Sequence, residues 1–294
     1  MTVTPGGSDA VAEGGQMIAA LYRAVLAAGR AARELALAER HDRLAAEGSK
    51  RNTAWHTELA DRHRSTAHCH ITASRLQYSF ADGVVSWFSN RESRRPLFMS
   101  GVADACGTRS AALTLLGADL TQLAVAASDV RSGEAQDLEY ILSEGPALDA
   151  ARSGRRVSAS GTAIERRWPS YGCGLSELGI DSVIALPLTV SSSCIGALTL
   201  FDPPLRAAER DSGSFREVAE ALAKSILLGP EADPDLYGNT DHRATVHQAA
   251  GSLSIQAGCT VTDALDLIKA RAFSEGKPSA EVARRVLSGE LKLN

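Results

Sequence analysis

The chain has 294 residues, 44% hydrophobic and 22% charged, with a net charge of −4. That length supports two globular domains plus extra segments, and the slightly acidic balance argues against a general nucleic-acid coat protein while leaving room for a small RNA-binding end. No apolar run is long enough to span a bilayer and no signal peptide is visible, while Cys69, Cys106, Cys173, Cys194 and Cys259 stand singly with no CxxC pair; this argues against a zinc knuckle or disulfide framework and for a reducing cytoplasm.

Residues 1–15 are rich in Gly, Ser and Thr and are expected to be disordered. From Gln16 a long helix is expected, because Ile18, Leu21, Val25, Ala28, Ala32 and Leu35 recur at alternating steps of three and four. Such a heptad seam suits a coiled coil or a helical hairpin, so residues 16–90 read as a helical arm that makes the protein dimeric. Gly48-Ser49 breaks the helix, and a second, polar helix runs from Asn52 to about Leu76. His56, His63 and His70 share one face of it, with His68 and Cys69 nearby. Spacing by seven sets the imidazoles roughly 10 Å apart, so one helix cannot close a metal site, although a partner helix could. Surface histidines are the favoured reading and a pH-sensitive stripe the lesser one.

Residues 91–228 change texture. Ala111–Leu116 and Leu120–Ala127 read as strands joined at Gly117-Ala118-Asp119. Gly145-Pro146 opens a short helix over Ala147–Arg152, with Pro where helix entry prefers it. Two apolar runs, Ser182–Val190 and Cys194–Phe201, flank the polar Ser191-Ser192-Ser193 and read as a hairpin in the centre of a sheet. Ser214–Leu228 is a closing amphipathic helix. Strands, a helical insert and strands again predict an α+β sheet with helices packed on it. Residues 229–239 read as a linker, broken by Pro230 and Pro234 and hinged by Gly229 and Gly238.

Residues 240–294 predict three short helices, Asp241–Ala257, Val261–Glu275 and Ser279–Ser288, ended by Gly258, Gly276 and Gly289. Their apolar stripes are Val246, Ala249, Ala250, Leu253 and Ala257; Val261, Ala264, Leu265, Ile268 and Ala272; and Val282, Ala283, Val286 and Leu287. Thr260 and Ser279 stand where N-caps are needed. Helices this short have to pack on one another. Off the stripes lie Arg243, His247, Lys269, Arg271, Lys277, Arg284 and Arg285, the candidates for phosphate and base contacts. Asp263, Asp266, Glu275 and Glu281 nearly cancel that charge, so a merely solvated surface is the plainer alternative.

Two resemblances bear on these elements. His247-Gln248-Ala249-Ala250-Gly251, Ala264-Leu265, Arg271-Ala272-Phe273 and Glu281-Val282-Ala283 make the whole tail resemble the ANTAR domain, the RNA-binding module of bacterial antitermination regulators. One position departs from it: the family commonly has Lys where this chain has Ala250, which puts one basic contact in doubt. Glu144-Gly145-Pro146 with Asp149-Ala150, Arg167-Trp168-Pro169, Leu178-Gly179-Ile180, the run Ser182–Leu188 and Ile195-Gly196-Ala197-Leu198 make the middle resemble a GAF domain, of the type that precedes ANTAR in actinobacterial regulators. The GAF resemblance implies a small-molecule pocket between sheet and insert, and places Tyr140, Arg166, Arg167, Trp168, Tyr171 and Cys173 near it. Trp168 and Tyr171 read equally as core packing, and Cys173 as a small buried hydrophobe. No histidine lies between His70 and His242, so the sensor has none to ligate haem iron, and nothing marks a bilin site.

The chain has no Walker-type glycine loop, no Gly-x-Ser-x-Gly elbow and no phosphoacceptor cluster, so no catalysis, cofactor or metal is expected. The sequence thus reads as a cytoplasmic, homodimeric regulator with a coiled-coil-like arm, a GAF sensor and an ANTAR tail that binds hairpins in nascent RNA. A DNA-binding regulator with a helix-turn-helix, or a protein-interaction adaptor with a dimerising tail, is the alternative.

Overall fold

The computed structural model describes residues 7–48, 50–90, 96–204, 213–227 and 242–293. The linker at 229–239 lies outside the described residues. The chain forms long N-terminal helices and one five-stranded antiparallel sheet with shorter helices. Its elements fall into two compact units, where the sequence suggested three parts: residues up to Ala105 join the segment that begins at Gly213, and the sheet joins the tail. Among the described residues no helix is long and apolar enough to cross a membrane.

The first unit is built on a hairpin of α1 (Gly7–Glu47) and α2 (Lys50–Ser89). Helix α1 begins at Gly7, inside the segment expected to be disordered, and α2 runs well past Leu76. The break falls at Gly48, as the sequence suggested. The heptad seam, however, is not what joins the two helices. Ala20, Ala24, Ala27, Ala31 and Ala38 are buried against α2, which contributes Ala60, Ala67 and Ala73, and Ser74 Oγ donates to the Ala24 carbonyl at 2.9 Å. Small residues let helix axes approach closely. The larger seam residues face out, with Ile18 64% and Val25 58% exposed, and Leu21 and Leu35 are exposed beside them. Helix α1 thus carries two seams, and periodicity alone could not say which one its own hairpin partner takes. The unit is completed by α3 (Phe98–Ala105) and by α8 (Gly213–Ala221), which continues as a π-helical turn over Leu222–Leu227. Phe215, Val218, Ala219 and Leu222 bury the apolar face of this segment, and Cys69 Sγ of α2 lies 3.8 Å from Glu220 Oε2.

The second unit is built on a sheet ordered β2-β1-β5-β4-β3. The strands are β1 (Ser110–Leu116), β2 (Gln122–Ala127), β3 (Val157–Ser160), β4 (Ser182–Val190) and β5 (Ser193–Phe201). Leu113 pairs with Leu198, and Leu198 with Leu186, so β1, β5 and β4 form the centre. One face carries Ala112, Val183, Ala185, Ala197 and Phe201, and the other carries Leu113, Ile184, Leu186, Leu198 and Leu200, all buried. Burial on both faces is why these strands read as continuous apolar runs. The first face is covered by α4 (Val130–Leu142), α5 (Pro146–Ser153), α6 (Thr162–Arg167) and α7 (Pro169–Glu177). Helix α4 and strand β3 escaped the sequence reading. The side chains that α4 buries include Ser132, Gln136 and Glu139, which blur any apolar stripe, although its Asp129–Ser132 capping box is legible. The tail adds α9 (His242–Ala257), α10 (Val261–Glu275) and α11 (Ser279–Leu287).

Gly196 meets a packing requirement. A Cβ there would lie 2.0 Å from the Thr114 carbonyl oxygen of the paired strand. We expect Gly196→Ala to lower the unfolding free energy by about 3 kcal/mol or more in a urea titration, since the central strands would have to part. Gly29, inside α1, has open space around it. Gly29→Ala should instead add about 0.5–1 kcal/mol.

Candidate nucleic-acid interface

The three tail helices bury Val246, Ala249, Ala250 and Leu253 of α9, Ala264, Ile268 and Ala272 of α10, and Val282, Ala283 and Val286 of α11 in one cluster. Leu265 is half-buried, while Ala257, Val261 and Leu287 are exposed. Thr260 caps α10 in a capping box with Asp263, and Gly276 closes that helix in the left-handed conformation at φ 59°. Ser279 is not the N-cap of α11. It is the first helical residue, behind Pro278, and its backbone N–H donates to Asp137 Oδ2 of α4 at 2.9 Å. Ala250 is fully buried in this core.

This core divides the seven candidate cations into two groups. Arg243, His247 and Lys269 face α4 and β2. Only 2% of Arg243 is exposed; its guanidinium donates to Asp137 Oδ1 at 2.7 Å, to Ser279 Oγ at 3.0 Å and to the Gln136 carbonyl at 3.3 Å. It also lies 3.9 Å from the centroid of the Tyr140 ring, and Lys269 Nζ lies 4.5 Å from the same centroid while donating to Ser143 Oγ at 3.2 Å. Burial holds Lys269 below the usual lysine range and pushes the Tyr140 phenol up. His247 Nε2 donates to the Gln122 carbonyl at 3.2 Å.

The second group stays outside. Arg285 and Arg271 both reach Glu275, each at 2.5 Å, and hold its carboxyl below the usual range. Lys277 pairs with Glu281 and does the same there. Arg284 is exposed one residue from Arg285. Glu275 and Glu281, the carboxylates that hold Arg271, Arg285 and Lys277, are themselves half-buried.

The expected ligand residues of the sensor do not converge. Trp168 and Tyr171 are buried core residues with rings edge to face at 6.2 Å, as the packing alternative had it. Trp168 Nε1 and Arg167 Nε both donate to Asp149 Oδ2, at 3.2 and 3.0 Å. Arg166 is exposed, and so is Cys173, which is not the small buried hydrophobe expected. Tyr140 belongs to the cluster that meets the tail, away from Trp168 and Tyr171. The sequence reading missed Glu139, Gln136, Thr114 and Thr199, which lie with Tyr171 in the layer between sheet and helices. Gln136 Oε1 accepts from Thr114 Oγ1, and Glu139 Oε1 accepts from the Leu148 N–H at 2.8 Å. Among the described residues, Tyr171 OH and Thr199 Oγ1 are buried without a hydrogen-bond partner.

In the arm, a second helix does bring another imidazole to the histidine stripe. His41 of α1 enters between His56 and His63, with His41 Nδ1 2.9 Å from His56 Nδ1 and its ring stacked on His63 at 5.5 Å. His63 Nδ1 lies 2.7 Å from Glu34 Oε2. Desolvation, then His56 and His63, hold His41 below the ordinary imidazole range. Parallel stacked rings cannot aim their in-plane lone pairs at one ion, and among the described residues no group has metal-holding geometry.

No protein-family model matches the chain, and no curated protein matches it.

The Glu139 carboxyl gives this layer a pH dependence. Complete burial pushes it up to about 7, against the pull of the Leu148 and Ala147 N–H groups. A carboxyl with a raised folded value stabilises the fold through the proton it keeps. That contribution is complete below the unfolded value of 4.5 and is lost as pH rises through about 7. It amounts to the order of 3 kcal/mol. Unfolding free energies of the wild type should therefore fall relative to Glu139→Gln as pH rises from about 5 to about 8. Parallel profiles would mean that Glu139 is already ionised in the fold.

Proposed function

We propose that the chain is a transcription regulator in which an α+β sensor of GAF type governs a three-helix tail of ANTAR type that binds RNA hairpins. The observation that carries this reading is the division of labour in the tail. The small residues Ala249, Ala250, Ala264, Ala272 and Ala283 share one core, and Arg271, Lys277, Arg284 and Arg285 are left on the outside. Close-packed short helices fringed by cations suit a small module that holds phosphates and reads exposed loop bases, since the A-form major groove is too narrow to read. With Ala250 inside the core, the basic contact that the family commonly has at that position has to come from another residue.

The sensor takes a small polar organic molecule in this reading. Tyr171 OH and Thr199 Oγ1, buried and unpartnered in the layer between sheet and helices, are the groups such a ligand would satisfy. The arm joins two copies through the outward seam of α1, where Ile18, Leu21, Val25 and Leu35 keep coiled-coil spacing and remain exposed.

Two measurements test this. The full chain should bind stem-loop RNA in preference to duplex DNA of the same sequence, and Lys277→Ala with Arg284→Ala should weaken that binding. The same double variant should flatten the salt dependence by about 0.7–0.9 in log–log slope per lost phosphate contact. Tighter binding to the duplex would move the assignment to the DNA-binding alternative. For the arm, Ile18→Glu with Val25→Glu should turn a dimeric mass in light scattering into a monomeric one, while helicity is kept because neither side chain packs within the hairpin.

A further inference from the structure

We propose that the sensor and the RNA compete for one face of the tail: Asp137 and Tyr140 of α4 hold Arg243 and Lys269 in place of a phosphate and a base, so RNA binds only the fraction of the chain in which α4 has let go. This rests on the RNA-binding reading above and adds the regulation of that site.

The chemistry of the contact is that of a nucleic-acid mimic. A guanidinium pairs with a carboxylate and with a phosphate through the same planar fork of donors, and it stacks on aromatic rings and on bases alike. Here Arg243 does both to the sensor, donating to Asp137 Oδ1 at 2.7 Å and lying over Tyr140 at 3.9 Å. Lys269 adds a second cation over the same ring at 4.5 Å. His247, on the same helix as Arg243, spends its Nε2–H on the Gln122 carbonyl. Three of the seven cations that the tail offers to RNA are therefore engaged by the sensor, with Arg243 almost wholly out of reach of solvent.

The contact is also built so that it can open. Arg243 Nε and Tyr140 OH are buried without partners among the described residues, so the docked state leaves hydrogen-bonding capacity unused. The two non-bridging oxygens of an RNA phosphate can take a bidentate guanidinium fork that includes Nε. Val246, Ala249, Ala264, Ile268 and Val282 of the three tail helices pack on one another, and Tyr140 joins that cluster. A signal that shifts α4, which also carries Gln136 and Glu139 into the layer under the sheet, would change the hold on Arg243 directly.

The test uses the full chain and a stem-loop RNA pool with a randomised loop. The Ser279 amide, held by Asp137 Oδ2 at 2.9 Å, reports docking through its hydrogen-exchange rate. In Asp137→Asn and in Tyr140→Ala, exchange at Ser279 should speed up and RNA affinity should rise about tenfold or more, because the binding-competent fraction rises. Adding Arg243→Ala to Asp137→Asn should remove the gain. In the wild type, saturating RNA should speed exchange at the same amide, a measurement that needs no variant to fold. Variants that open without binding RNA more tightly would sink the proposal, as would RNA that binds the wild type and leaves Ser279 protected. If neither the wild type nor the opened variants bind RNA at all, the RNA-binding reading itself fails and the competition goes with it.

Discussion

A helix begins with N–H groups that its own backbone cannot satisfy, and α5, α7 and α11 are among the helices of the second unit that begin without a local side-chain cap. Carboxylates from α4 and the turn after it meet that need. Glu139 accepts from Leu148 of α5, Glu144 from Ser170 and Tyr171 of α7, and Asp137 from Ser279 of α11. Helix α4 is therefore the hub on which the insert and the tail are both hung. Its burden of polar side chains is what hid it from periodicity. Gly145 follows from the same arrangement, since a Cβ there would lie 2.5 Å from the Glu139 carboxyl carbon.

The hub gives the tail its place within the unit. Asp137 serves Arg243 and Ser279 at once, so one carboxylate neutralises a buried cation and caps a helix. Removing one partner of a buried ion pair costs about 3–5 kcal/mol, because the other charge is stranded. The tail meets α4 through this ion pair and through Tyr140 and Ile141, which pack with the tail's own apolar residues.

The arm divides its surfaces on the same principle of size. Alanines bring α1 and α2 together because two helices joined by a short break pack most closely through small side chains. The branched residues Ile18, Leu21, Val25 and Leu35 face outward from the hairpin. The histidine cluster sits where the two helices come together, with His41 Nδ1 2.9 Å from His56 Nδ1.

The sequence by itself determined the local choices: the two apolar hairpin strands, the break at Gly48, the cap at Thr260, the glycine stop at Gly276, and the stripes of the tail helices apart from Ala257, Val261 and Leu287. Each of these depends on residues within a few positions of one another, which is the range over which hydrophobic period and capping chemistry act. It also marked Trp168 and Tyr171 as core packing and picked out the basic residues off the tail's apolar stripes. Only the tertiary structure decided how those residues were used. It turned the heptad seam outward, placed Tyr140 under Arg243 rather than beside Trp168, exposed Cys173, and set Arg243, His247 and Lys269 against α4 and β2 while Arg271, Lys277 and Arg284 stayed exposed. Each of those outcomes depends on what a distant segment places opposite the residue. The partner of Arg243 lies 106 positions earlier in the chain, and no local pattern records a pairing at that distance.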